Sequence, residues 1–175
     1  MARPDFKPAF GAHPVPQLLD DLGEFAMDVK GGHFAGRFKL GPADATGWLG
    51  GPELASHFAL FGHDQDGSQY GFWLYDDRTP ANAPIVYLSA AHSGSCVLAE
   101  SLEDFLGLLA HDVTDLGLFY DEADRPHKHS AGHAAYVAWL HDCFGMAPLP
   151  GPARAVKRAA AAHPKLVDRY GKRGA

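Results

Sequence analysis

The sequence predicts an α+β fold in a single domain, with a mainly antiparallel sheet of four to six strands and helices packed on it. Three observations lead there. Apolar strand-like runs follow one another between Phe58 and Ala99, helical periodicity is confined to the segments before and after them, and short polar turns join the runs. Turns of that length make hairpins, whereas parallel strands need a crossover of a dozen residues or more. The chain has 175 residues, 46% hydrophobic and 21% charged, which is the size and composition of one core.

Taken in order, residues 1–16 carry four prolines and little periodicity, so they read as an irregular N-terminal arm. Leu18, Leu19, Leu22 and Phe25 recur at helical spacing and predict a short first helix from Gln17, closed by Gly31 and Gly32. Phe34, Gly36, Phe38 and Leu40 alternate along His33–Leu40 and predict an outer strand. A loop through Gly41 and Pro42 then leads to Trp48. Phe58-Ala59-Leu60-Phe61 is a strand that ends at the polar turn Gly62–Ser68.

Gln69–Tyr75 reads QYGFWLY. Tyr70, Phe72 and Leu74 face one way and Gly71, Trp73 and Tyr75 the other. Neither set is polar, so the strand is central and its second face needs cover from a helix or a partner. Asp76–Pro80 breaks it, and Ile85–Leu88 and Cys96–Ala99 follow as two more short strands. Ser101-Leu102-Glu103-Asp104 resembles a capping box, with Asp104 in place of Glu or Gln. Leu102, Phe105, Leu106 and Leu109 then fall at i, i+3, i+4 and i+7, a helix over Leu102–Ala110. Another helix runs from about Ser130 to Phe144, turning Ala134, Val137, Ala138 and Leu140 or their neighbours inward and stopping at Gly145. Beyond Pro148, Pro150 and Pro152 the chain is alanine-rich and helical until Pro164 breaks it. The division is therefore an arm over 1–16, an α+β body over 17–147 and a basic, mostly helical extension over 148–175.

The net charge of -6 is unevenly spread. Residues 1–150 hold eight Lys/Arg against 20 Asp/Glu, giving -12, and residues 151–175 hold seven against Asp168 alone, giving +6. An acidic body repels nucleic acid and favours basic partners, while the tail reads as solvated or docked on that body. Cys96 and Cys143 both sit in apolar stretches, as small buried hydrophobes do in a reducing compartment. No apolar run approaches the roughly 20 residues of a membrane span, and the opening MARPDFKPAF lacks a signal peptide's apolar stretch. The expected location is cytoplasmic.

Candidate chemistry is sparse. His127, His129 and His133 form the densest histidine group, with His141 two turns beyond, and helical spacing puts His129 and His133 on one face. Ser130 stands where HEXXH-type zinc sites carry glutamate, and the sequence places no carboxylate or cysteine beside the group, so no specific metal is expected. Asp64-Gln65-Asp66-Gly67 looks like part of a calcium loop. Placing Gly67 sixth leaves Gly62 first and Trp73 twelfth, which offer no carboxylate, so the segment reads as a turn in which aspartates bond their own backbone and Gly67 takes positive φ. His92-Ser93-Gly94-Ser95-Cys96 offers nucleophiles beside a base, but neighbours on an extended chain point apart. No phosphate-cradling glycine motif occurs, and no cofactor or catalytic residue is expected.

The run from Phe58 to Ala110, FALFGHDQDGSQYGFWLYDD and then PIVYLSAAHSGSCVLAESLEDFLGLLA, resembles the SUKH superfamily of bacterial immunity proteins and fungal cell-wall regulators. The order matches: a tryptophan ahead of the sheet (Trp48), a strand into a D/G/S turn, an aromatic strand, a P-[IV]-V-x-L strand and a helix opening S-L-x-D-F-L. Ser89-Ala90-Ala91-His92 departs from the glycine-serine-glutamate-glycine type segment that relatives often carry there. The resemblance implies a non-enzymatic protein that binds and neutralises a cognate polymorphic toxin, often a nuclease. Its partner would be a basic toxin domain, met by acidic and aromatic residues around the turns: Trp48, Asp64, Asp66, Tyr75, Asp76 and Asp77. A regulatory or scaffold module of the same fold is one alternative, and a small metalloenzyme using the three histidines is another.

Overall fold

Five strands form one antiparallel sheet in the order in which they occur along the chain: β1 (Lys39–Leu40), β2 (Phe58–His63), β3 (Gln69–Trp73), β4 (Ile85–Leu88) and β5 (Cys96–Ala99). The structure, a computed structural model, describes residues 3–29, 33–36, 38–41, 56–64, 66–90, 95–112 and 129–164. β3 is central, and its alternation divides the apolar residues as the sequence predicts. Tyr70 and Phe72 face the main core, and Trp73 joins Phe58, Leu60, Val86, Leu88 and Val97 on the other face. Gly71 sits where β2 is irregular between Leu60 and Gly62. A Cβ there would lie 2.6 Å from the Ala59 carbonyl oxygen and 2.7 Å from the Leu60 Cα, so only glycine permits this approach.

Four helices supply the main core: α1 (Lys7–Phe10), α2 (Gln17–Asp28), α3 (Leu102–Leu109) and α4 (His133–Phe144). The Ser101 side chain caps α3, accepting the Asp104 N–H at 3.1 Å. From α3, the Phe105 ring reaches Phe38, Phe61 and Tyr70 at centroid distances of 5.6, 5.7 and 6.1 Å, within the range where aromatic pairs attract. Tyr136 is completely buried on α4 and donates its hydroxyl to the Leu106 carbonyl at 2.7 Å, joining α4 to α3. α5 (Pro152–Ala162) packs on β5, with Ala159 among the Trp73 group and Val156 in the main core. It ends just before Pro164. Among the described residues no helix is long and apolar enough to cross a membrane.

The structure corrects several local expectations. The outer strand is only Lys39–Leu40, paired with His63 and Gly62. Gly36 turns to positive φ and gives its N–H to Asp112, and the Phe38 N–H closes a turn on Ala35, so neither amide serves the sheet. The N-terminal arm holds α1, because Phe6 and Phe10 stand four residues apart and both bury in the core. α4 starts at His133 and buries Tyr136 and Leu140, while Ala134 and Ala138 are exposed. A helix that is apolar on most sides gives periodicity little to select. Cys143, in the last turn of α4, is exposed and Cys96 half-buried. Gly31 and Gly32 lie outside the described residues.

Candidate functional site

The acidic pair Asp76–Asp77 stands on a single 3-10 turn, Tyr75–Asp77, directly after β3. Both aspartates are exposed and both have positive φ, 53° and 59°. The left-handed region costs an ordinary residue about 1 kcal/mol, and Asp is among the few non-glycines that tolerate it. An aromatic layer fixes the turn from beneath. The Tyr75 ring stacks on Trp73 at 3.9 Å, the Arg78 guanidinium lies 4.7 Å over the Tyr75 ring, and the Tyr75 hydroxyl meets His163 Nδ1 at 2.5 Å. Arg78 also donates to the Asn82 carbonyl, where Thr79 and Asn82 form a reciprocal capping box. His163 is partly buried, and that desolvation, with the nearby Arg78 charge, holds its pKa below the usual 6.5 while Glu100 pulls the other way.

The other predicted acidic residues are elsewhere. Asp64 is buried in the β2–β3 turn, where its carboxylate accepts the N–H groups of Asp66 and Ser68 and its carbonyl accepts that of Gly67, at φ +87°. It thus serves its own turn. Asp66 is exposed on that turn. The turn and the Asp76–Asp77 corner occupy opposite ends of β3, whose five residues span about 17 Å. Tyr75 is buried within the corner rather than displayed on it. Trp48 and His127 lie outside the described residues.

A second polar group centres on Asp112, whose side chain is 1% exposed. Asp112 Oδ1 accepts the Gly36 N–H at 2.6 Å and the Ser130 hydroxyl at 2.6 Å; Oδ2 accepts the Ser130 N–H and lies 3.3 Å from His129 Nδ1. Burial alone pushes the Asp112 pKa up, but the bonds from the Ser130 hydroxyl and the Gly36 and Ser130 amides, with the His133 charge, outweigh it. The carboxyl is held below the ordinary 3.8. His129 and His133 stack in parallel, 4.0 Å apart, and His133 Nε2 lies 2.8 Å from the Ala110 carbonyl oxygen.

Sequence reasoning paired His129 with His133 but missed Asp112, which is 17 residues from His129. The local signal that marks it is the end of α3 at Leu109, after which Asp112 takes φ +55°. Comparison with protein-family models, curated proteins and solved structures gives no match.

Proposed function

We propose that this chain is a non-enzymatic binding protein of the immunity type its sequence resembles, which neutralises a basic toxin domain through the Asp76–Asp77 corner. The supporting observation is that pair itself: two consecutive exposed carboxylates in left-handed backbone, held on a packed aromatic layer. Non-glycine residues are kept in such conformations where surroundings over-determine them, and they concentrate at functional surfaces. A charge pair on a rigid turn meets a cationic partner with little ordering cost, and the body's -12 over residues 1–150 steers the encounter.

The test is co-expression with candidate toxin domains taken from the neighbouring genes, followed by association kinetics. The parent chain should restore growth. Asp76→Asn with Asp77→Asn removes both charges and retains a residue at home in the left-handed region. It should slow association about tenfold and flatten its salt dependence, with stability changed by no more than about 0.5 kcal/mol. Failed protection by folded parent chain, or unchanged kinetics in the folded double variant, would refute the proposal.

A further inference from the structure

The geometry points to a transition-metal site made by Asp112, His129 and His133, with zinc(II) as the ion its donors suit. The expectation of no specific metal rested on the lack of a carboxylate beside the histidines, and the fold brings Asp112 to them. One ligand atom from each residue lies within 4.8 Å of the other two. The Asp112 Oδ2 to His129 Nδ1 distance is 3.3 Å, close to the ~3.3 Å between two ligands on a tetrahedral ion bound at 2.0–2.1 Å. The two imidazoles stack in parallel, so their lone pairs converge on one ion when the His129 ring, 48% exposed, rotates out of the stack while His133 keeps its bond to Ala110.

The surroundings match what such a site needs beyond its ligands. His133 donates its Nε2–H to the Ala110 carbonyl at 2.8 Å, which fixes the tautomer and leaves Nδ1 as the nitrogen with a lone pair. Metal-binding histidines are oriented by this kind of bond to a backbone carbonyl. Asp112 is ionised at neutral pH and anchored by Ser130 and Gly36, so its carboxylate is already ordered. Two imidazoles and one carboxylate favour a borderline ion of the zinc class over calcium or magnesium, which take oxygen donors. Three protein ligands leave a fourth position for water or a partner's side chain, on the solvent side where His129 also gives the ion its route in.

Tag-free, chelator-treated chain titrated calorimetrically with zinc(II) alone tests the site. One ion per chain should bind, His129→Ala and His133→Ala should each weaken binding at least about tenfold, and His141→Ala, an exposed histidine on the same helix, should leave it unchanged. Asp112 also ties its own loop together, so the histidine variants carry the test, and zinc should raise the thermal midpoint of the parent but not of His129→Ala. Substoichiometric binding, or binding by either cluster variant as tight as the parent's, would overturn the site.

Discussion

The Asp112 carboxylate draws together residues 76 and 18 positions away in sequence, and it does so from a backbone at φ +55°. Hydrogen bonds to an ionised acceptor are each worth roughly 1.5–3 kcal/mol net, and a stranded buried donor costs 1–3 more. Asp112→Asn turns one acceptor into an NH2 group that faces those donors. It should therefore lose about 2–3 kcal/mol of unfolding free energy at pH 7, measured by urea denaturation with chelator present. Because the folded carboxyl titrates below 3.8, the stability it adds is complete above that value and disappears as pH falls through the folded pKa. The gap between parent and variant should narrow over the same range. Asp64 and Gly67 were legible because turn chemistry is local. Asp112 was not, because its partners are set by how α3 and α4 pack.

At the scale of elements, Phe105 on α3 is completely buried between rings from the β1 approach, β2 and β3. Phe105→Ala should cost about 3–5 kcal/mol, since a cavity walled by other rings cannot collapse. An unchanged urea midpoint would contradict that packing. The α3 stripe and the β3–β5 strands could be read almost to the residue because burial there follows a strict period. The sequence had less to say about His33–Leu40, where three of the alternating residues are indeed apolar but Gly36 spends its N–H on Asp112. It also could not orient α4, whose outward alanines resemble core residues.

Across the whole molecule, α1–α4 pack on one face of the sheet, and the extension's described helix is docked on the edge strand β5 rather than solvated. Its far end is held where His163 meets Tyr75, with Arg78 and Glu100 as the charges acting on the imidazole. With its folded pKa lowered, His163 favours the folded state fully above about pH 6.5, and that contribution diminishes as pH falls below 6.5, because the unfolded chain takes up the proton first. His163→Gln should remove this component. The drop in thermal midpoint between pH 7.5 and 5.5 should be smaller in the variant than in the parent, and an equal drop would place the sensitivity elsewhere.

The order of assembly carries a cost during synthesis. β5 is complete at Ala99, yet the helix that packs on it and adds Ala159 to the Trp73 group begins only at Pro152. At roughly 5–20 residues per second on a ribosome, the intervening 52 residues take about 3–10 seconds. Throughout that interval the Trp73 group lacks Ala159 and β5 lacks the helix that packs along it. A ribosome stalled before Pro152 would release a chain whose paired strands are finished and whose edge strand β5 is open to a second such chain.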